Sequence, residues 1–234
     1  IAMYVKRPFG EKLNASFDFL KENWKLLLKF TTYLLLPLCL IQALSLNGLM
    51  SGALSISAIA SSTAMAASSS SLIAFGSYYG LYMFLYLIGI ILLTSLVYGL
   101  IRTYNEREER LQGVTLGMLK PRLFRNIKRL LLMTGACILL VLFVGIFVGL
   151  LVALTPFTLF LTIPFIIAFS VPLALLAPIY LFEDITLMEA FKKTFRLGFA
   201  TWGGVFLVSL LMGIIANVLQ GVTTVSYTHL RAHE

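Results

Sequence analysis

The chain has 234 residues, of which 59% are hydrophobic and 12% are charged, and its formal net charge is +8. Soluble domains carry about 25% charged residues, so this composition excludes a soluble globular class. The positive charge does not indicate a nucleic-acid partner, because no nucleic-acid-binding motif accompanies it. In a membrane protein, basic residues gather in cytoplasmic loops and beside anionic lipid.

Two long stretches, 30–101 and 130–182, contain no Asp, Glu, Lys or Arg. A helix needs about 20 apolar residues to cross a bilayer, and hydrocarbon offers the backbone no outside hydrogen-bond partners. The apolar runs do not show the alternation in segments of about ten residues that a membrane β-barrel requires. The sequence therefore predicts an all-α, polytopic transmembrane helical bundle.

The N-terminal part predicts an amphipathic helix over residues 12–29. Its apolar residues recur at helical spacing and comprise Leu13, Phe17, Leu20, Trp24 and Leu27. We expect this helix to lie in the membrane interface, with Trp24 at headgroup level. The first span, 24–46, contains Pro37 and Gln42, and Gln42 is a candidate for hydrogen bonding between helices. Residues 47–77 are rich in Ser, Ala and Gly and predict an external, mobile connection with some helix.

The second span, 79–101, leads into a charged stretch, 102–129, that holds eight of the 18 Lys and Arg residues. Glu106 stands four residues from both Arg102 and Arg110, which predicts a solvated helical extension through Arg110. The second half of the stretch predicts an interfacial amphipathic helix, with Pro121 best placed in its first turn. Its candidate interfacial basic residues are Lys120, Arg122, Arg125 and Arg129.

The third span, 130–154, contains Gly145 and Gly149, whose spacing lets another helix approach closely. After a turn at Thr155 and Pro156, the fourth span covers 157–182. It predicts a bent or broken helix because it contains three prolines, Pro164, Pro172 and Pro178. Backbone carbonyls that lose their hydrogen bonds at these prolines need partners in the bundle or must line a wet cavity. Broken helices mark substrate sites in transporters, but they also occur as plain structural kinks.

The third polar stretch, 183–197, begins with Thr186 and Glu189, spaced as a capping box. It predicts a third interfacial helix whose apolar residues step by four and whose basic residues are Lys192, Lys193 and Arg196. The fifth span, 202–222, contains Asn217 and Gln220 on nearly one face. These two amides are candidates for helix packing or for lining a pore.

The distribution of Lys and Arg places the N-terminus and the polar stretches on the cytoplasmic side of the membrane. We interpret residues 1–224 as a single membrane domain of three tandem hairpin units, about 13–104, 113–182 and 186–224. The last ten residues, 225–234, resemble a translated sequencing adapter, and we interpret them as a non-native tail that contains both histidines, His229 and His233. The third unit lacks a return span, so five spans are visible and six are expected natively.

The opening of the chain resembles uncharacterised multi-spanning membrane proteins of Bacteroidota. The matching residues are Phe17, Phe19, Lys21, Asn23, Trp24 and Pro37. The layout is also similar to the membrane domain attached to some glycerophosphodiester phosphodiesterases. That similarity implies a six-helix membrane module and carries over no catalytic residue, since no phosphodiesterase domain is present.

No metal-binding, nucleotide-binding or nucleophile motif occurs in the sequence, so it predicts no catalytic residue, no metal and no cofactor. The first hypothesis is a non-enzymatic inner-membrane protein that binds or organises lipid, anionic on the cytoplasmic side, or a small neutral molecule. The second is a transporter whose path is lined by the broken fourth span, Asn217 and Gln220. The third is a membrane-embedded enzyme acting on lipid.

Overall fold

The computed structural model describes residues 5–60 and 68–232. These residues form seven helices, which confirms the all-α prediction: α1 (Phe9–Ala60), α2 (Ser68–Glu106), α3 (Leu116–Leu154), α4 (Thr158–Leu173), α5 (Leu176–Phe182), α6 (Leu187–Ala200) and α7 (Trp202–Arg231). Five helical segments are long and apolar enough to cross a membrane: Phe9–Leu54, Leu72–Glu106, Leu116–Leu154, Thr158–Phe182 and Trp202–Arg231. The chain is therefore a multi-pass membrane protein by the length and composition of its helices.

The chain divides into two compact units, Ile1–Leu132 and Met133–Glu234, which we call unit 1 and unit 2. In unit 1, α1 and α2 form a long hairpin. Its main hydrophobic core lies at the end of the hairpin that carries the charged residues. The core side chains come from α1, α2, the connection after α2 and the start of α3, and they are Phe19, Phe30, Leu96, Leu100, Tyr104, Leu111, Val114, Leu119 and Leu123.

The first two predicted interfacial helices are not separate elements. Residues 12–29 continue into the first span as part of the 52-residue helix α1, and the basic segment after Leu116 continues into the third span as α3. Only the third, α6, ends before the next span begins. From Glu11 to Leu36, where the amphipathic segment meets the span, no Gly or Pro interrupts the backbone hydrogen bonds, so the helix continues.

Only part of the apolar face expected on the first part of α1 meets the core of unit 1, where Leu27 packs against it. Phe17, Leu20 and Trp24 are exposed, whereas Phe19 and Asn23 are buried. The helix therefore has two apolar sides. One packs on α2, and the other is available to lipid.

The expected mobile connection over 47–77 is helical wherever the structure describes it. Helix α1 runs to Ala60 and α2 begins at Ser68; residues 61–67 of that prediction lie outside the described part of the chain. Small residues favour this outcome, because Gly52 lies against Phe75, with a Cβ position 3.4 Å from its ring. Close approach of the two backbones favours helix over the flexibility expected from a Ser- and Gly-rich composition.

Two predictions for the charged stretch are wrong. Helix α2 ends at Glu106, and Arg110 has a positive φ of 57° in the turn that follows, so Glu106 and Arg110 do not share a helix. Helix α3 begins at Leu116, which puts Pro121 beyond its first turn. Burial explains the early start, because Leu119 and Leu123 enter the core of unit 1 and outweigh the preference of proline for the first helical position.

In unit 2 the fourth span is broken, as its prolines predict. Helix α4 ends at Leu173 and α5 begins at Leu176, with Ala174 and Leu175 forming the turn between them. The capping box of α6 is confirmed: the side chain of Thr186 accepts from the N–H of Glu189, and the Glu189 carboxylate accepts from the N–H of Thr186, both at 3.4 Å.

The buried residues of α6 are small, and they are not the apolar residues that step by four in the sequence. Its buried residues are Ala190, Thr194 and Gly198, each one turn from the next. Ala190 packs in a cluster with Leu176 and Tyr180 of α5. The small stripe lets α6 approach the broken span closely. The phenylalanines beside it add contacts, because Phe195 and Phe199 meet the ring of Phe169 of α4 edge-on, with centroids 6.0 and 5.4 Å apart.

Candidate functional site

The polar end of unit 1 is organised by Tyr104, two residues before the end of α2. Tyr104 is 1% exposed, and its hydroxyl donates to the Glu22 carboxylate at 3.0 Å. Its ring meets Phe19 edge-on, with centroids 5.1 Å apart. The guanidinium of Arg110 lies over the same ring, 4.6 Å from its centroid. Tyr104 thereby joins α1, α2 and the turn after α2.

Arg122, which the sequence predicts as an interfacial basic residue, makes its contacts within unit 1. It forms an ion pair with Glu106 and donates to the Thr103 hydroxyl at 3.2 Å. Glu106 also pairs with Arg102 at 2.9 Å, as the helical spacing predicts. These contacts tie the start of α3 to the end of α2, so Arg122 positions the helix that carries the remaining basic residues.

Those remaining basic residues line a groove that we call the basic groove, with a volume of about 410 Å³. It is formed along one face of α3 by Pro121, Phe124, Arg125, Lys128 and Arg129. Sequence reasoning found Arg125 and Arg129 but not Lys128 or Phe124. The recurrence at i, i+3, i+4, i+7 and i+8 from Pro121 could have identified the whole set.

The fourth basic residue predicted for this segment, Lys120, lies beside the basic groove. Its ammonium is 6.0 Å from the ring centroid of Phe124. The arrangement brings cations and an aromatic ring together immediately before the apolar part of α3, which starts at Leu130. Such a surface suits a ligand with a negatively charged group and an apolar body.

A second concave region of unit 1, which we call the loop cleft, lies between α1 and the turn after α2. It has a volume of about 690 Å³. Its walls are the α1 residues Glu22, Asn23, Trp24, Lys25 and Leu26 and the turn residues Glu108, Glu109, Arg110, Leu111 and Gln112. Sequence reasoning did not identify this site, because its two walls are more than eighty residues apart in the chain.

In unit 2, the broken span is held by contacts from α6 and α7. The indole nitrogen of Trp202 donates to the Ala168 carbonyl at 3.0 Å. Gly198 lies directly against Pro172, and a methyl group added at this glycine would be 2.5 Å from the Pro172 Cβ and 2.7 Å from its Cα. Of the prolines named as candidates, Pro172 is thus buried at a helix contact, Pro178 is half-buried, and Pro164 is exposed.

The remaining candidate residues are spread over the surface of the helices. Gly145 and Gly149 of α3 are exposed, with open space around their Cβ positions. On α7, Asn217 and Gln220 are exposed, and the amide nitrogen of Asn217 donates to the Gly213 carbonyl of its own helix. Gln42 is half-buried in α1. Within unit 2, Gly145, Gly149, Asn217 and Gln220 are therefore exposed, and none of them is buried at a helix contact.

The basic residues of α6 differ in their surroundings. Lys193 forms an ion pair with Glu183, whereas Lys192 and Arg196 are exposed. Within residues 5–60 and 68–232, no group of three or more His, Cys, Asp or Glu is arranged to hold a metal ion. Comparison of the chain with protein-family models, with curated proteins and with solved structures gives no match.

Proposed function

We propose that this protein is a non-enzymatic integral membrane protein that binds anionic phospholipid through the basic groove of α3. The observation that carries the proposal is the clustering of Arg125, Lys128 and Arg129 with Phe124 and Pro121 along one helix face. The face lies next to the apolar stretch of α3 that begins at Leu130. An anionic phospholipid needs both surfaces side by side, because its phosphate is charged and its acyl chains are apolar.

The chemistry of the groove fits a phosphodiester headgroup. A guanidinium offers a planar pair of N–H donors that matches two phosphate oxygens, and Lys adds a mobile point charge. Basic side chains near an anionic membrane surface each contribute about 1 kcal/mol to attraction. Phe124 and Pro121 give the glycerol and the first acyl carbons an apolar contact.

The proposed setting is a bacterial inner membrane with the N-terminus and the basic groove on the cytoplasmic side. Support comes from the absence of Lys and Arg in 30–101 and 130–182, because the positive-inside rule places the basic stretches between them in the cytoplasm. The resemblance of the opening residues to Bacteroidota membrane proteins agrees with this setting.

The proposal is tested by counting retained lipids. The purified protein is mixed with phosphatidylglycerol or phosphatidylcholine in detergent, and bound lipid is counted by native mass spectrometry. We expect a preference for phosphatidylglycerol that weakens with salt and falls about tenfold or more in R125Q/K128Q/R129Q, since each charged hydrogen bond contributes about 1.5–3 kcal/mol. Equal retention of both lipids by the unaltered chain would contradict the proposal.

The second candidate function, a transporter, is favoured by one observation, the break between α4 and α5 at Ala174 and Leu175. Broken helices place backbone carbonyls where a substrate can reach them. This candidate predicts that uptake into proteoliposomes depends on Pro172, which lies next to the break. Unchanged uptake in P172A, N217L and Q220L would count against it.

A further inference from the structure

We propose that the loop cleft binds the primary ammonium group of an aminophospholipid headgroup of the ethanolamine type. This inference rests on the proposed lipid-binding function, and it adds a second lipid class at a second site. The volume of about 690 Å³ is within the range of small-molecule sites.

The α1 wall presents hydrogen-bond acceptors that are held in place. One carboxylate oxygen of Glu22 accepts from the buried Tyr104 hydroxyl at 3.0 Å, which fixes the side chain and leaves its other oxygen for a ligand. Asn23 is only 9% exposed, and its amide nitrogen donates to the Phe19 carbonyl at 2.9 Å. One of its two amide N–H donors is thus engaged, and its carbonyl oxygen is an acceptor that Asn23 can offer to the cleft.

The facing wall adds negative charge. Glu108 and Glu109 both line the cleft, and Glu109 pairs with Arg107 at 3.2 Å. Arg110, whose guanidinium lies over the Tyr104 ring, and Lys25 also line the cleft, so its walls carry both signs of charge. The carboxylates of Glu22 and Glu108 can pair with the ammonium of a zwitterionic headgroup, and the two cations can pair with its phosphate.

The rim of the cleft fits the rest of a lipid headgroup. The Lys25 ammonium is 5.8 Å from the ring of Trp24, and both residues line the same edge. Lys25 can pair with the phosphate that lies two carbons from an ethanolamine nitrogen. Trp24 is 54% exposed, and an exposed indole at this level of a membrane helix contacts the glycerol region.

The acceptor-rich walls select a primary over a quaternary ammonium. A primary ammonium carries three N–H donors that can satisfy carboxylate and amide oxygens, whereas a choline group carries none. Charge-assisted hydrogen bonds of this kind are roughly twice as strong as neutral ones. A headgroup with only negative charge is disfavoured by the carboxylates and belongs in the basic groove.

The test compares retained lipids by native mass spectrometry of the full chain, using phosphatidylethanolamine, phosphatidylcholine and phosphatidylglycerol. We expect the ethanolamine lipid to be retained more than the choline lipid, and E108Q to reduce that preference about tenfold, which corresponds to about 1.4 kcal/mol. Glu108 is exposed in a turn, so this variant should fold. The matched control is E11Q, an exposed glutamate of α1 outside the cleft, which should leave the preference unchanged.

A second arm of the test adds free phosphoethanolamine at increasing concentration. We expect weak competition, because the free headgroup lacks the glycerol and acyl chains that Trp24 would contact. Retention of ethanolamine and choline lipids in equal amounts, or full displacement by free phosphoethanolamine, would overturn this inference. Loss of phosphatidylglycerol binding in the basic-groove variants with no ethanolamine preference would leave the proposed function standing and remove only the cleft. Equal retention of all three lipids by the unaltered chain would remove both.

Discussion

The indole nitrogen of Trp202 donates to the carbonyl oxygen of Ala168 at 3.0 Å. Ala168 stands four residues before Pro172, and proline has no N–H to donate to that carbonyl. A side chain of α7 thus replaces the backbone hydrogen bond that the proline removes from α4. The hydrogen bond lost at Pro172 is therefore compensated within unit 2, and the Ala168 carbonyl is not left as an open ligand site.

Replacement of Trp202 by Phe tests this compensation. The variant keeps an aromatic ring to stack on Phe206, whose centroid is 5.0 Å away, but it removes the N–H donor. We expect the free energy of unfolding in mixed micelles to fall by about 1–3 kcal/mol, because the Ala168 carbonyl is left unsatisfied.

The matched control restores the backbone donor. In P172A the amide at position 172 can bond to Ala168, so W202F should cost less in the P172A background than in the native sequence. Equal costs in the two backgrounds, measured as a double-mutant cycle, would show that the indole does not substitute for the missing bond.

Replacement of Gly198 by Ala tests the close packing of α6 on the broken span. The added methyl would come within 2.7 Å of the Pro172 Cα, a backbone atom that cannot move away by a side-chain rotation. We expect a loss of about 1–3 kcal/mol in the free energy of unfolding. The control is G213A on α7, where a Cβ meets open space and the substitution should be neutral or stabilising by about 0.5–1 kcal/mol. Similar effects of both variants would contradict the contact.

Replacement of Tyr104 by Phe tests the hydrogen bond that joins α2 to α1. The ring would keep its contacts with Phe19 and Arg110 while Glu22 loses a donor. We expect a loss of about 0.5–1.5 kcal/mol, against about 3–5 kcal/mol for Y104A, which also removes the buried ring. A Y104F variant as unstable as Y104A in chemical unfolding would show that the hydroxyl, and not the ring, holds this end of unit 1.

Arg122 and Arg125 are predicted to have different roles although they are one turn apart. Arg122 pairs with Glu106 and donates to the Thr103 hydroxyl, and Arg125 lines the basic groove. R122Q should leave the phosphatidylglycerol preference intact and lower stability by at most about 1 kcal/mol, since its ion pair is partly solvated. R125Q should weaken the lipid preference. Native mass spectrometry of the two variants side by side tests this assignment. A larger loss of phosphatidylglycerol preference in R122Q than in R125Q would refute it.

Much of the fold was predictable because charge and apolar runs are segregated so strongly along the chain. The spans, the break near Pro172 and the capping box at Thr186 follow from local rules for hydrocarbon burial, proline and helix ends. The amphipathic segments predicted at the starts of α1 and α3 are helical, and each continues into the following span as one helix. An amphipathic segment and an apolar span with no break between them form one helix, and periodicity alone does not reveal where a helix changes environment.

The candidate sites were harder to predict because they depend on contacts distant in sequence. Spacing placed Arg122 and Arg125 on the same basic face, but the approach of Glu106 and Thr103 gives Arg122 partners on α2 that spacing does not reveal. The loop cleft needs α1 beside the turn after α2, a pairing set by the burial of Tyr104. Conversely, Asn217 was singled out as polar in a span, and the structure places it on an exposed face of α7.

The most direct measurement locates bound anionic lipid on the chain. A phosphatidylglycerol analogue with a photoreactive headgroup is incorporated into bilayers with the protein, crosslinked by light and mapped by peptide mass spectrometry. The account predicts that the main adducts fall on residues 121–129 and disappear in R125Q/K128Q/R129Q but not in R122Q. Adducts concentrated elsewhere, or unchanged in the triple variant, would contradict the basic groove as the lipid site.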